Sequence, residues 1–174
     1  MSIIATDLDG TIFKGQTLID GVKEGLLKII NEGIEIYYTT NNSSQTPSEI
    51  KDKLENLLQL DIDISKIITP LVIFQNLYSD DKLNIFIYGS DNLKKYIKNL
   101  NMNVTSLENA ELVLIGRKEE NNFSEINEII KNISLGKNIL SLNKDLTFPT
   151  EFGEKAGNGA VVKIIEDELS ISIP

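Results

Sequence analysis

The chain contains no cysteine and no histidine among its 174 residues. Without cysteine it cannot form a disulfide, a thiolate nucleophile or a cysteine-ligated zinc site. Without histidine it cannot build a Ser-His-Asp triad, a phosphohistidine or a histidine-ligated metal centre. Any catalysis by these residues therefore depends on carboxylates, hydroxyls, lysine, backbone groups and a hard cation.

Basic clusters and long apolar runs are absent as well. The formal net charge is −9, whereas binding to nucleic acid or to an anionic membrane requires grouped Lys and Arg side chains. Apolar stretches such as Leu112–Ile115 are far too short to span a bilayer. The first residues lead directly into a strand-like segment without a secretory signal. We therefore expect a cytoplasmic protein that binds neither nucleic acid nor membrane, although a phosphorylated substrate remains compatible with the charge if a metal is present.

Strand and helix signals alternate through the first part of the chain, which predicts a parallel sheet with helical crossovers. Asp20 is predicted to cap the first helix and Gly33 to end it. Thr46, followed by Pro47 and Glu49, is predicted to start the second helix with a capping box. The predicted strands cover residues 2–6, which we expect to be buried, 34–39 and 66–69.

A second series of strands and helices begins near residue 83 and predicts a separate α+β domain. Ser90 and Ser124 are predicted to cap two of its helices, and a third helix follows Gly159. The predicted strands cover residues 84–88, 111–115 and 138–142.

The segment Asp7-Leu8-Asp9-Gly10-Thr11, at the end of the first predicted strand, is the strongest indication of chemistry. Two carboxylates this close repel each other unless a hard dication lies between them. Gly10 permits a tight turn that can direct its own N–H and that of Thr11 toward a phosphate. We expect Asp7 to be a nucleophile that forms an aspartyl-phosphate, and Asp9 to be the general acid and base. A simple Asx-turn after a strand is the alternative explanation.

A second polar segment, Thr-Thr-Asn-Asn-Ser-Ser at residues 39–44, follows the second predicted strand. In parallel sheets, ligands bind beyond the carboxyl ends of the strands, so both polar segments are expected at the same edge. Hydroxyl and amide donors there can stabilise negative charge on phosphoryl oxygens in the transition state. The alternative is a polar loop that only precedes a helix.

With these two motifs, the sequence resembles the haloacid dehalogenase (HAD) superfamily of phosphatases, and within it the NagD/p-nitrophenylphosphatase-like branch with a C2-type cap. Residues 112–116, 142–149 and 157–160 resemble that cap. The resemblance implies an α/β fold with a HAD-like Rossmannoid parallel three-layer core, here incomplete, and an α+β C2-type cap domain. It implies a Mg²⁺-dependent phosphatase of small phosphorylated metabolites.

The resemblance also implies roles for individual residues. Asp7 is the implied nucleophile, Asp9 the implied acid and base, and both are implied Mg²⁺ ligands. The implied phosphate-binding residues are Gly10, Thr11, Thr40, Asn41 and Asn42. The cap residues implied to face the substrate are Asn143, Asp145 and Phe148.

Members of this branch continue beyond the cap with a Gly-Lys-Pro segment and an acidic segment that supplies another Mg²⁺ ligand. In this chain Ile173 stands where the lysine of that segment is expected. We therefore expect the N-terminal part of the core at residues 1–82, the cap at 83–168 and a truncated return strand at 169–174. The solvated lysines expected on the cap are Lys144, Lys155 and Lys163.

Relative to members of this branch, we expect roughly the last third, which follows the cap, to be missing. Its absence would leave the first strand with an unpaired apolar edge. Such an edge favours association, either as a homo-oligomer or with a complementing C-terminal fragment. It would also leave the metal with few protein ligands and the nucleophile without a neighbouring cation.

Three other functions make different predictions. A truncated or split HAD protein would bind phosphate or a partner without turnover, and retained catalysis would exclude it. A phosphoacceptor receiver domain requires an Asp at the end of the third strand, where residues 67–70 are Ile-Ile-Thr-Pro. A dinucleotide site at Gly89 would require a G-x-G-x-x-G pattern, which the sequence lacks.

Overall fold

The structure is a computed structural model that describes residues 2–78, 82–118, 120–150 and 153–174, without the side chains of residues 148–150 and 153. It divides into two compact units, Met1–Ile73 and Phe74–Pro174. The boundary between the units therefore lies between residues 73 and 74, whereas the sequence predicted it between residues 82 and 83. Residues 170–174, predicted as part of a return strand, form no strand and belong to the second unit.

The first unit is a small parallel sheet with helical connections. Its elements are β1 (Ile3–Asp7), β2 (Phe13–Lys14), β3 (Thr17–Leu18), α1 (Val22–Asn31), β4 (Glu35–Thr39), α2 (Pro47–Leu58), β5 (Ile67–Ile68) and α3 (Pro70–Tyr78), the last of which continues into the second unit. The sheet order is β1-β4-β5 and all pairs are parallel. Asp7 pairs with Thr39, which pairs with Ile68, so the three carboxyl ends coincide. The antiparallel β2–β3 hairpin was not predicted, because strands of two residues carry no readable periodicity.

Apolar stripes of the two helices pack on this sheet and form the core of the first unit. The buried residues of the cluster are Leu8, Ile12, Phe13, Leu26, Ile36, Tyr38, Ile50, Leu54, Leu58, Ile62 and Ile67. In α2 the buried positions Ile50, Leu54 and Leu58 are spaced by one helical turn, which places them on one face.

β1 is an edge strand, and its predicted burial is wrong. Ile3 is 60% exposed and Ile4 is 37% exposed. The physical reason is that, among the described residues, β1 has a strand neighbour on one side only, β4. The expected apolar edge on β1 is therefore confirmed, while association through it stays a prediction.

The starts of α1 and α2 differ in how well the sequence predicts them. Thr46 caps α2 as predicted: its hydroxyl accepts from the Glu49 N–H at 3.3 Å, and the Glu49 carboxylate accepts from the Thr46 N–H at 2.7 Å. The prediction that Asp20 caps α1 is wrong, because Gly21 occupies the cap position with φ +78° and no side chain accepts a hydrogen bond there. A left-handed residue at this point favours glycine.

Replacement of Thr46 by Ala should lower the free energy of unfolding by about 1 kcal/mol, because the Glu49 N–H loses the hydroxyl oxygen that accepts its hydrogen bond. Urea unfolding followed by circular dichroism would measure the change. Ser48→Ala, an exposed substitution within the first turn of the same helix, is the control and should change stability by less than about 0.5 kcal/mol. Equal effects of the two substitutions would contradict the assigned cap.

The second unit contains a four-stranded parallel sheet and an antiparallel hairpin. Its elements are β6 (Asn84–Tyr88), α4 (Asp91–Asn99), β7 (Asn103–Val104), β8 (Leu112–Ile115), α5 (Phe123–Ser134), β9 (Asn138–Ser141), β10 (Thr147–Thr150), β11 (Gly153–Ala156) and α6 (Asn158–Leu169). The parallel sheet has the order β7-β6-β8-β9, and β10 pairs antiparallel with β11. Within the described ranges, no helix has the length and apolar character required to cross a membrane.

Helix caps and the final residues complete the second unit. Ser90 caps α4 as predicted, accepting from the Leu93 N–H at 3.2 Å. The predicted cap Ser124 is wrong, because the Asn122 side chain accepts from the first-turn N–H groups of α5 and starts the helix earlier. Ile173 is 1% exposed in the core of this unit, and Pro174 O accepts from the Ser141 N–H at 3.0 Å. The final residues therefore pack on the second unit.

Candidate active site

The carboxyl ends of β1 and β4 border an open cleft of about 700 Å³ in the first unit. Its lining residues are Asp7, Asp9, Thr39, Thr40, Asn41, Ile68, Pro70 and Ile73. Both aspartates of the first motif and three residues of the second motif thus meet in one place. The parallel register brings them together, since Asp7 and Thr39 are direct partners at the ends of adjacent strands.

The loop after β1 folds on itself and presents the two aspartates. Leu8 O accepts hydrogen bonds from the N–H groups of Thr11 at 3.3 Å, Ile12 at 2.9 Å and Phe13 at 3.2 Å. Leu8, between the two aspartates, is 1% exposed, and both aspartates are exposed at the surface of the unit. The buried Leu8 anchors the loop while its two acidic neighbours face the cleft.

The prediction that the N–H groups of Gly10 and Thr11 point toward a phosphate is wrong. The Gly10 N–H donates to Phe13 O at 2.8 Å, and the Thr11 N–H donates to Leu8 O. Both donors close the turn itself, which Gly10 makes with φ +82°. Neither residue lines the cleft.

The loop after β4 supplies the opposite side of the cleft. The Thr40 N–H donates to Ile68 O at 3.1 Å, and its hydroxyl accepts from the Asn42 N–H at 3.0 Å. The Thr39 hydroxyl donates to Thr6 O at 3.1 Å and ties this strand end to β1. Thr40 is only 8% exposed, whereas its neighbour Asn41 is exposed. These bonds fix the position of the cleft wall.

Asn42 is not among the residues that line the cleft, and its phosphate-binding role stays a prediction. Its side-chain oxygen accepts from the Ser44 N–H at 2.8 Å and from the Ser44 hydroxyl at 2.6 Å. Its amide nitrogen donates to the Gln45 side chain at 3.4 Å. The side chain therefore folds back on its own loop and shapes the approach to α2.

Oxygen atoms are the ligands that Mg²⁺ prefers, and the Asp7 carboxylate and the Asp9 main-chain carbonyl are the candidate ligands at the cleft. In the described part of the chain, no group of three or more acidic side chains is placed to hold a metal. Two protein oxygen ligands are nevertheless compatible with Mg²⁺, because this ion keeps several waters and takes further oxygens from a bound phosphate. The donor set thus fits Mg²⁺, with few protein ligands.

Lys53 of α2 brings a positive charge near the Asp9 carboxylate. Its Nζ lies 3.5 Å from the centre of the Phe13 ring. Burial lowers the pKa of Lys53 below its usual value, and the Asp9 carboxylate acts in the opposite direction. Lys53 was not among the predicted site residues, since a lone lysine on a helix is usually a solvated surface group.

The predicted substrate residues of the cap lie in or near the loop between β9 and β10 in the second unit. The start of α6 holds this loop: Asn158 Nδ2 donates to Asn143 O at 2.8 Å, and the Gly159 N–H donates to Asp145 O at 2.9 Å. Asp145 is exposed and Asn143 is partly buried. Phe148 lies in β10, and its side chain is outside the described part of the chain.

Of the three lysines expected to be solvated, two take part in surface ion pairs. Lys144 contacts Glu166 at 2.8 Å, and Lys163 contacts Asp167 at 3.0 Å. Lys155 is exposed on the hairpin. Their surroundings agree with a solvated position, and Glu166 has a pKa lowered first by its hydrogen bond to Lys144.

Residues 4–103, more than half of the chain, match the family of haloacid dehalogenase-like hydrolases. The chain therefore belongs to this family, as the two motifs predicted, and its α/β fold is that of the HAD phosphatases.

Individual relatives show the same relationship. The acid sugar phosphatase of Staphylococcus haemolyticus is 30% identical over 161 residues, covering 91% of this chain and 61% of the relative. A p-nitrophenyl phosphatase from Archaeoglobus fulgidus superimposes with a TM-score of 0.89 at 21% identity, covering 99% of this chain and 66% of that one. A glycerol phosphate phosphatase from Mycobacterium tuberculosis, in complex with magnesium, gives a TM-score of 0.83 at 22% identity over 99% of this chain and 53% of that one. The two structural similarities establish the fold. The chain spans less than two thirds of the length of the acid sugar phosphatase.

Proposed function

We propose that the cleft of the first unit hydrolyses phosphate monoesters of small metabolites, with Mg²⁺ as the cofactor. The observation that carries this proposal is the meeting of Asp7, Asp9, Thr40 and Asn41 in one cleft at the carboxyl edge of a parallel sheet. Family membership and the phosphatases among its relatives support the same reaction class. The name of the acid sugar phosphatase favours sugar phosphates among the metabolites.

The reaction has two steps, and Asp7 is the nucleophile in the first. One Asp7 carboxylate oxygen attacks phosphorus, the bond from phosphorus to the ester oxygen breaks, and Asp9 gives its proton to the leaving oxygen. In the second step Asp9 takes a proton from water, whose oxygen attacks phosphorus. The bond to Asp7 then breaks, inorganic phosphate leaves, and both side chains return to their starting states.

Mg²⁺, held by Asp7 and Asp9, would offset the negative charges of the carboxylates and the phosphate. Thr40 and Asn41 would orient the phosphate by hydrogen bonds from groups on the cleft wall. The Thr39–Thr6 hydrogen bond and the bond from the Thr40 N–H to Ile68 O keep this wall in position before a substrate arrives. Such preorganisation lowers the cost of reorganising dipoles during the reaction.

The choice of substrate is proposed to rest on the cap residues Asn143, Asp145 and Phe148. The anchoring of their loop by the N–H groups at the start of α6 supports this role for the first two, because a binding side chain needs a backbone of defined position.

A second candidate is a non-catalytic module that binds phosphate or a partner. The small number of acidic groups placed to hold a metal, within the described ranges, favours it. It predicts phosphate binding without turnover, whereas the phosphatase proposal predicts turnover.

Hydrolysis of p-nitrophenyl phosphate by the 174-residue chain, with Mg²⁺ and with EDTA, tests the function. We expect hydrolysis that rises with Mg²⁺ and falls to the uncatalysed rate in EDTA, because the two carboxylates otherwise repel the phosphate dianion. A folded protein that binds inorganic phosphate but releases no p-nitrophenol in Mg²⁺ would instead support the non-catalytic module.

A further inference from the structure

The loop that carries Asp9 is closed by the backbone of Phe13. Asp9 and Phe13 form a β-bridge, and the Gly10 N–H donates to Phe13 O at 2.8 Å. The Phe13 ring is 2% exposed and belongs to the core of the first unit. An interaction that fixes the Phe13 ring therefore also stabilises the turn after Asp9.

Lys53 covers this ring from helix α2. Its Nζ lies 3.5 Å from the ring centre, a distance at which the ammonium group and the ring attract each other. The neighbouring helix positions Ile50 and Leu54 are buried, so α2 is fixed against the core and holds the base of the Lys53 side chain. A partly desolvated ammonium group thus sits on the residue that closes the Asp9 loop.

The environment of Lys53 differs from that of Lys51 and Lys66 on the same unit. Lys51 pairs with Glu55 and contacts Asp61 at 3.6 Å, and Lys66 pairs with Glu35 at 2.9 Å. Among the described residues, Lys53 makes no such ion pair. The acidic group whose charge acts on it is Asp9, in the cleft. The charge of Lys53 therefore acts on Asp9 in the cleft, and no ion pair among the described residues neutralises it.

We propose that Lys53 is a positioning residue for Asp9, which it serves by holding Phe13 and by placing a positive charge near the Asp9 carboxylate. This inference rests on the proposed function, in which Asp9 protonates the leaving group. The Lys53 charge attracts the ionised Asp9 side chain, and its contact with the Phe13 ring holds the turn that follows Asp9. It also keeps Asp9 at one position relative to the ester oxygen.

The kinetic test compares two esters that differ in their need for a general acid. p-Nitrophenolate leaves without a proton, whereas the alkoxide of glycerol 2-phosphate requires one. We expect Lys53→Met to lower kcat/KM for glycerol 2-phosphate about tenfold or more, and for p-nitrophenyl phosphate less than about threefold. Lys53→Arg keeps the charge and the ring contact, so its kcat/KM for glycerol 2-phosphate should be close to that of the wild type. A loss of equal size for both esters would overturn the positioning role.

Lys51→Met is the matched control, because it removes a lysine two positions away on the same helix whose ammonium group pairs with Glu55. It should leave both kcat/KM values unchanged. If it lowers them as Lys53→Met does, the effect belongs to the helix and the inference fails.

A second measurement decides the inference without turnover, metal or substrate. Hydrogen–deuterium exchange at the Gly10 N–H reports opening of the loop, because this group donates to Phe13 O. Lys53→Met should speed this exchange about two- to fivefold, and the increase should be smaller when Asp9→Asn is also present. Unchanged exchange in Lys53→Met, or the same increase in both backgrounds, would overturn the proposal.

The two measurements separate the failure of this inference from the failure of the proposed function. If the wild-type chain hydrolyses neither ester, the phosphatase proposal fails, and exchange at Gly10 alone decides whether Lys53 positions the Asp9 loop. If the wild type is active and Lys53→Met shows neither effect, the inference alone fails.

Discussion

Replacement of Asp7 by Asn should lower Mg²⁺-dependent hydrolysis of p-nitrophenyl phosphate by about 10³-fold or more. The amide keeps the size of the side chain but removes the oxygen anion that attacks phosphorus, and loss of a nucleophile commonly costs factors of this size or larger. Asp7 ends β1 and is exposed at the cleft, so the substitution leaves the core of the first unit untouched. Steady-state kinetics with purified protein would measure the loss.

Asp61→Asn is the control for the Asp7 experiment. The Asp61 side chain is fully exposed and does not line the cleft, so its substitution should leave kcat within about twofold of the wild type. Circular dichroism should show the same helix content for both variants. If a folded Asp7→Asn variant keeps a tenth of the activity or more, the nucleophile is another group and the proposed first step is wrong.

Gly159→Ala should lower the free energy of unfolding of the second unit by about 3 kcal/mol. A Cβ on Gly159 would lie 2.1 Å from Lys144 O and 2.5 Å from the carbonyl carbon of the same residue. Both are backbone atoms, which cannot rotate away as a flexible side chain can. The substitution must therefore push α6 away from the loop that carries Asn143 and Asp145, and break the hydrogen bond from the Gly159 N–H to Asp145 O.

Gly25→Ala is the matched control, with the opposite expected sign. Gly25 lies inside α1, and a Cβ there would meet no atom within 4 Å. Alanine favours a helix interior over glycine, so stability should rise by up to about 1 kcal/mol. Urea unfolding followed by circular dichroism would measure both changes, and hydrogen exchange would locate them. A Gly159→Ala variant as stable as the wild type would show that α6 and the loop are not in tight contact.

The order of elements was readable from the sequence wherever a segment had a clear period or cap. The capping box of Thr46 and the Ser90 cap were confirmed, because they involve residues within one helical turn. The failures have a different origin. The cap at Gly21 depends on a left-handed backbone, and the exposure of β1 depends on which strands pair beside it. Periodicity within a segment reports neither property.

Of the site residues predicted in the first unit, four line the cleft and three do not. Asp7, Asp9, Thr40 and Asn41 meet in the cleft because parallel strands end at one edge, which a sequence with β-α-β order already implies. Gly10, Thr11 and Asn42 belong to the same motifs, but their polar groups bond within their own loops. The motif selects the residue types, and the hydrogen bonds of the folded loop select which of them face a ligand.

The sequence by itself determined the class of chemistry and the family. A chain without histidine or cysteine limits any catalysis to carboxylates, hydroxyls, lysine, backbone groups and a hard cation, and the Asp-Leu-Asp-Gly-Thr segment after a strand predicted the family. Only the tertiary structure decided that Lys53, from a helix far along the chain, lies over Phe13 and acts on Asp9. It also decided that glycine is required at Gly159 but not at Gly25. The physical reason is that both depend on distances of a few ångströms between segments distant in sequence, which local periodicity does not encode.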